Sequence, residues 1–251
     1  MDFGNITTNI IKSGLVFNMD AANRASYPRT GIEIFNTINT SISGTFQDGG
    51  TSPLPQFDPV SGSGTILLDG VDDNINFGDI SIANYADQEP FTLNIWFKLT
   101  SGTPLSTNSH NYSLIGKQDG LYSDGYALFV RGGAGQYNGL TFRSSGGGGF
   151  QDIAASSDLS STYLNYNFHN VALTYNSTRQ TKLYSDGVEV GNGTLSSNKV
   201  NSNSVSFRLG IRRDSLFAPL PGSIGPVQIY NRALSANEVL HNYNALKGRF
   251  V

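Results

Sequence analysis

The chain has 251 residues, of which 14% are charged, with 29 glycines, 9 prolines and a formal net charge of -3; this profile suits many short strands joined by turns and excludes a charged helical assembly or a disordered chain. The basic residues form no run, which argues against sustained binding to nucleic acid phosphates or anionic lipid. Cysteine is absent, so disulfide staples, thiolate metal sites and cysteine nucleophiles are excluded and stability has to come from packing.

Residues 1–12 are polar with isolated apolar positions and read as an edge strand or as an arm that docks on a partner. The opening MDFGNITTNIIKSGLVF has neither a basic n-region nor a long apolar stretch, so neither a signal peptide nor a membrane span is expected. Residues 14–19 read as a strand. Residues 20–64, with Pro28, Pro53, Pro55 and Pro59, read as long excursions around short strands near Phe35 and Phe46. Strands at 66–68 and 74–77 flank an Asp-rich turn. In Phe91–Leu99, Phe91, Leu93, Ile95 and Phe97 alternate with Thr92, Asn94, Trp96 and Lys98; both faces carry apolar bulk, which predicts a central strand packed on both sides. Residues 112–117, 126–131 and 140–144 follow as a meander, and 146–149 as a flexible loop.

The segment 168–193 reads as back-to-back hairpins. Val171, Leu173 and Tyr175 alternate with Asn170, Ala172 and Thr174, and Asp186-Gly187 closes a tight turn. A two-residue loop pairs Ser185 with Val188 and Leu183 with Val190, placing Leu183, Val188 and Val190 on one face. Residues 205–211 and 223–230 supply the last strands. Residues 235–246 form a helix: Ser235 and Glu238 make a capping box, and Val239, Leu240, Tyr243 and Leu246 a single apolar stripe.

These segments also carry a resemblance. HNVALTYN, KLYSDGVEVGNGT, FRLGIRR and GSIGPVQIYNRALSANEV, with ILLDGVDDNINFG and FTLNIWFKL upstream, resemble the laminin-G-like, concanavalin A-like lectin superfamily over about residues 60–246. Phe168 stands where family members often carry Trp. The opening GLVFNMDAANRASYPRTG and closing NYNALKGRF are similar to single-domain versions of this module among structural proteins of marine tailed bacteriophages. The resemblance implies an all-β jelly-roll sandwich of two antiparallel sheets with a short C-terminal helix, the whole of 1–251 being one domain. It also implies a non-catalytic surface protein of the virion, a capsid decoration or fibre component made in the host cytoplasm. Its expected partners are other virion proteins and host-surface glycans, in a homo-oligomer, without nucleic acid or membrane insertion. A free bacterial carbohydrate-binding lectin, calcium-dependent or not, is the alternative.

The chemistry-bearing residues agree with binding rather than catalysis. Retaining glucanases of this fold need two carboxyls about 5 Å apart on a Glu-x-Asp-x-x-Glu strand, and no such spacing occurs. Asp69, Asp72 and Asp73 could serve as calcium ligands, yet Asp and Gly in that order are also what a turn needs for its own backbone, and turn chemistry is the stronger reading; Asp119 with Asp124 is a second such place. No specific ligand set identifies a cofactor. His110, His169 and His241 are scattered without metal spacing, His169 reading as a satisfied polar group beside the sheet. The glycine-rich loops lack the Lys-Ser/Thr ending and the strand-to-helix context that phosphate cradling requires. Sugar recognition needs aromatic platforms beside amides and carboxylates; the rim-loop residues that offer them are Asn108, His110, Asn111, Tyr122, Asp124, Tyr137, Arg212, Arg213 and Phe217.

Overall fold

The computed structural model describes residues 9–50, 53–103, 111–118, 124–131, 139–212 and 219–250. In chain order its strands are β1 (Leu15–Met19), β2 (Glu33–Phe35), β3 (Ser43–Gln47), β4 (Gln56–Asp58), β5 (Thr65–Asp69), β6 (Asn74–Asn76), β7 (Phe91–Leu99) and β8 (Asn111–Gln118). They continue with β9 (Gly125–Arg131), β10 (Gly139–Gly146) and β11 (Gly149–Ala154). A short helix α1 (Ser160–Tyr163) then precedes β12 (His169–Tyr175), β13 (Gln180–Ser185), β14 (Val188–Thr194), β15 (Arg208–Leu209), β16 (Pro221–Tyr230) and helix α2 (Ala236–Lys247).

Two antiparallel sheets form a sandwich. The first runs β14-β13-β12-β7-β16-β5-β4, with β1 also paired to β16; the second runs β11-β10-β9-β8-β15-β6-β3-β2. The core between them comes from the inward half of each alternating strand. Phe91, Leu93, Ile95 and Phe97 of β7 are fully buried there. Aromatic rings fill the broad interior: Tyr85 stacks on Phe91 at 3.9 Å, and Phe17 meets Phe77 edge-on at 5.1 Å. Each such ring removed from water contributes about 2–3 kcal/mol.

The outward face of β7 is buried too, as its composition predicts. Trp96 stacks on Phe250 at 4.5 Å and on Tyr243 of α2 at 5.6 Å, and Asn94 donates to Gln228 at 2.6 Å. Helix α2 therefore lies across the first sheet. Its capping box forms as the sequence dictates, with Ser235 and Glu238 bonded to each other's backbone N–H. The apolar stripe is less buried than expected: Val239 is enclosed, whereas Leu240 is 41% exposed. Asn242 is enclosed instead, donating to Tyr230 Oη and accepting from Ile11 N–H. Residues 9–12 form no strand; Ile11 also accepts from Tyr230 Oη, so this segment docks as an arm on α2 and β16.

Three further expectations change. In the β13–β14 hairpin Ser185 does pair with Val188, but a bulge at Val190, between the Tyr184–Glu189 and Leu183–Gly191 pairs, sets Leu183 opposite Gly191 instead of Val190. Val188, beside the turn, is 63% exposed while Leu183 is buried. Residues 146–149 are no loose loop: Gly146 pairs with Gly149 across a two-residue turn that starts β11. The strand expected over 205–211 contracts to Arg208–Leu209, because the chain before it bends over Lys117, whose Nζ donates to the carbonyls of Asn203 and Val205.

Candidate binding face

The outer face of the first sheet is covered by α2 and the arm; the outer face of the second carries a different set of side chains, most of them enclosed as well. Its composition follows from register. Phe129 of β9 stands between Ser113 of β8 and Thr141 of β10; one row away Ala127 stands between Gly116 and Arg143, and Asp152 of β11 opposes Arg143. Next come Gln118, Gly125, Ser145 and Phe150, and on the other side Asn111 and Arg131. Alternation puts Tyr126, Leu128 and Val130 into the core and leaves this set outside it.

The face is built from polar and aromatic groups in contact. Arg143 donates Nε and Nη2 to the two oxygens of Asp152, at 2.7 and 2.6 Å, and its guanidinium lies 4.1 Å from the Phe150 ring and 5.7 Å from that of Phe129. The fork holds the cation flat against the rings, which a lysine would not do. Arg131 Nη1 approaches Asp152 to 4.0 Å. A second chain of bonds crosses the strands: Arg212 Nη1 donates to Gln118 Oε1 at 2.6 Å, and Gln118 Nε2 donates to Ser145 Oγ. Gly116 makes that crossing possible, since a Cβ there would lie 2.7 Å from the Ile211 carbonyl and 3.1 Å from Arg212 Cα.

Three polar atoms on this face have no hydrogen-bond partner: Asn111 Oδ1, Ser113 Oγ and Thr141 Oγ1. Ser113 and Thr141 are fully buried. An enclosed hydroxyl or amide without a partner costs about 1–3 kcal/mol relative to one that is bonded. Two of the three, Ser113 and Thr141, flank Phe129 in register, and Asn111 lies one row away opposite Arg131.

Of the residues singled out in the sequence, Asn111, Asp124 and Arg212 lie within the described part of the chain, all around this sheet. Asn108, His110, Tyr122, Tyr137, Arg213 and Phe217 lie outside it, as does Asp119. Arg212 is not an exposed rim residue as expected; it is enclosed, because its guanidinium is bonded into the face. Asp124 is exposed, and both its carboxylate and its carbonyl are approached by amides, from Asn201 at 3.5 Å and Asn203 at 3.0 Å. Ser113, Phe129, Thr141, Arg143, Phe150 and Asp152 were not anticipated. Their signal was in the pattern: the outward positions of a meander are expected to be solvent polar groups, and here they include two phenylalanines and an arginine.

The remaining candidates play local parts. His169 is a bonded polar group beside the sheet, with Nδ1 2.7 Å from Asp186 Oδ2 and Nε2 3.0 Å from Asn165 Oδ1. His241 bonds the Asn9 carbonyl at 2.9 Å. Asp69 accepts from Val71 N–H and Asp73 from Asp69 N–H, the turn bonds expected of that segment. A hollow of about 150 Å³ beside the first sheet, lined by Thr174, Gln180, Lys182, Tyr184, Leu234 and Ser235, is the other concavity of note; its Lys182 is held by Glu189 at 2.8 Å.

Known structures share this architecture. The binding domain of Paraclostridial Mosquitocidal Protein 1 superposes with a TM-score of 0.68 at 16% identity, covering 92% of this chain and 52% of that one. The binding domain of Botulinum neurotoxin DC, solved in complex with rat synaptotagmin II, gives 0.66 at 14% identity, covering 93% and 52%. Domain 4 of AbnA, a GH43 extracellular arabinanase from Geobacillus stearothermophilus, solved in complex with arabinotriose, gives 0.65 at 16% identity, covering 92% and 98%. The chain thus spans about half the length of the toxin binding domains and nearly all of the arabinanase domain. At these identities the likeness is one of fold. No functionally curated protein matches the sequence. A family model does: residues 69–240 match the one described as concanavalin A-like lectin/glucanases superfamily (Laminin_G_3), and the chain, a two-sheet antiparallel sandwich with a C-terminal helix, belongs to that family.

Proposed function

We propose that the chain is a non-catalytic, lectin-like module that binds carbohydrate on the outer face of its second sheet. The observation that carries this reading is the row Ser113–Phe129–Thr141 with Asn111 beside it: partnerless hydroxyl and amide oxygens around a ring, next to the Arg143–Phe150 stack. Sugars present apolar faces ringed by hydroxyls and need this combination. Asp152, the carboxylate on the edge strand β11 of this face, is bound by Arg143 on both oxygens and so is poorly suited to protonating a leaving group. The arabinotriose complex of the AbnA domain supports the same reading by likeness of fold.

The test is a glycan array probed with the full chain, beside a Ser113→Ala/Thr141→Val variant. Those hydroxyls have no partner to lose, so folding tolerates the change. Saturable binding that falls at least about tenfold in the variant is the expected result. Silence across the array, or binding that ignores the variant, overturns the proposal.

In its finer form the reading places the module, as one domain over 1–251, on the surface of a tailed-bacteriophage particle, in contact with capsid or tail proteins and host glycans. The support is the opening and closing segments, GLVFNMDAANRASYPRTG and NYNALKGRF. Mass spectrometry of gradient-purified particles decides this; abundance in infected cytoplasm with absence from particles counts against it. Likeness to nearly the whole AbnA domain favours a second setting, a free or appended lectin of a bacterial carbohydrate-active protein.

A further inference from the structure

The cover that α2 lays over the first sheet is complete at Tyr184 and ends at Lys182 and Gln180, which reach solvent. The hollow lies at this margin, and both of its sides are fixed by bonds within the chain. On the sheet side, alternation turns Thr174 of β12 and its partner Lys182 of β13 outward, with Tyr184 on the adjoining row. The Thr174 and Tyr184 hydroxyls are bonded to each other. The opposite lip is the segment leading from β16 into α2. Leu234 N–H donates to Thr92 Oγ1 at 2.9 Å, Thr92 Oγ1 donates to the Arg232 carbonyl at 2.8 Å, and the Ser235 hydroxyl donates to Glu238 at 3.0 Å. Alanines at 233 and 236 are too short to fill the gap between lip and sheet. The space is about 150 Å³. At about 30 Å³ for each water it holds about five, enough room for one sugar ring and not for a longer chain.

The rim carries oriented polar groups. Asn176 Oδ1 accepts from Thr178 N–H at 2.9 Å, from the Thr178 hydroxyl at 2.8 Å and from Gln180 N–H at 3.0 Å, so the amide is held and its NH2 is what it presents to a guest. Lys182 Nζ donates to Glu189 Oε2 at 2.8 Å, and Glu189 Oε1 accepts from Asn192 Nδ2 at 2.8 Å. An ammonium has three N–H donors, of which this carboxylate takes one. The charges cancel: Lys182 pairs with Glu189, and beyond the lip Glu238 pairs with Arg232. Among the described residues, an anionic guest therefore meets no uncompensated cation in the hollow and a cationic guest no uncompensated anion, which selects a neutral one. Amide, ammonium and carboxylate groups held around an apolar floor of Leu234, the alanines and the Tyr184 ring match a sugar ring, which has an apolar face and hydroxyls at its edge.

We propose that this hollow takes a single neutral sugar residue and is a second carbohydrate subsite, on the opposite outer face of the sandwich from Ser113, Phe129 and Thr141. It stands on its own residues and does not depend on that row. The full chain, labelled with 15N, is titrated with the methyl glycosides of galactose, glucose, mannose, arabinose and N-acetylglucosamine while its amide shifts are followed by NMR. At least one of them moves the amides of residues 174–184 and 233–237 saturably, with half-saturation at about 1–10 mM, the range open to a ligand of one ring. Ala236→Phe fills the space from an exposed position, and Lys182→Ala removes the ammonium donor. Each weakens binding at least about tenfold with the fold intact by circular dichroism, and Lys182→Ala carries the test if Ala236→Phe does not fold. Shifts at Ser113, Phe129 and Thr141 in the same spectra report on the other face, so the two sites stand or fail separately. No saturable shift around the hollow with any of these glycosides up to about 100 mM overturns the proposal. So does saturation there that both variants leave unchanged.

Discussion

Replacing Glu238 by Gln tests how the C-terminal helix is held on the first sheet. Glu238 receives Nη1 and Nη2 of Arg232 at 3.0 and 2.7 Å, and its Oε2 also accepts from Ser235 N–H at 2.9 Å. Arg232 in turn donates Nε to the Ser13 carbonyl, so one carboxylate ties helix, strand end and N-terminal arm together. The Arg232 fork foremost holds the Glu238 carboxyl down, from 4.5 to about 2. At about 1.4 kcal/mol per pH unit that drop is worth about 3 kcal/mol. Both side chains are 29% exposed, so screening by water reduces the contribution to about 1.5–2 kcal/mol. A depressed carboxyl stabilises the fold above its unfolded value of 4.5 and loses that effect as pH falls toward 2. Glu238→Gln keeps the size and one capping oxygen but not the charge. Urea unfolding followed by the emission of Trp96, the single tryptophan, is expected to show the variant about 1.5–2 kcal/mol less stable at neutral pH, or about 4–7 °C lower in Tm. The gap should close progressively below pH 4.5. Equal midpoints at neutral pH, or a gap that persists undiminished to about pH 2, would refute the reasoning.

Other substitutions probe separate parts of the argument. Phe250→Ala removes the ring stacked on Trp96 and on Phe168, 4.8 Å away; a loss of about 2–3 kcal/mol and a red shift of Trp96 emission are expected in denaturation and fluorescence. Gly187→Ala forces a side chain onto a residue at φ +80° and to 2.8 Å from Leu240 Cδ1, which should cost about 1–2 kcal/mol in urea titration. Asp79→Asn leaves the ammonium of Lys117, 1% exposed and 2.9 Å from Asp79, with carbonyl partners alone; a loss of about 2 kcal/mol or more should appear as a lower urea midpoint.

The parts of the fold that were legible in the sequence are those where one local rule decides. Strand β7 matches its expected limits because its apolar alternation is unbroken over nine residues, and α2 because Ser235 and Glu238 set its start. What was not legible depended on contacts across the chain. The bulge at Val190 changes the pairing of β14, and Tyr184, opposite Ala172, joins a second apolar cluster with Tyr230 and Val239, far away in sequence. Strand β4 has three residues and no pattern, and exists by pairing with β5. The site was visible only at its edges. Asn111 and Arg212 stood out as amide and guanidinium near loops, whereas Phe129 and Arg143 read as ordinary strand residues until register set them side by side.

Register also decides which side chains each sheet displays outward. A sandwich has two outer faces, and in this chain they are treated differently. On the first, Trp96, Tyr230 and Asn242 are covered by α2, the arm and Phe250; Asn242 bonds Tyr230 and Asn94 bonds Gln228, while Asn94 Oδ1, Trp96 Nε1 and Asn170 Oδ1 have no partner. On the second, burial is just as complete at Phe129, Ser113 and Thr141, yet two of those three side chains carry oxygens without a partner. Each such atom costs about 1–3 kcal/mol, and Ser→Ala or Thr→Val would relieve it. Orphaned polar atoms thus occur on both outer faces, and what distinguishes the second is the aromatic and guanidinium set beside them, Phe129, Phe150 and Arg143. The strands β8, β9 and β10 are paired over most of their length, so for the carbohydrate proposed above the oxygens of Ser113 and Thr141 are held in place beforehand and binding needs little further ordering.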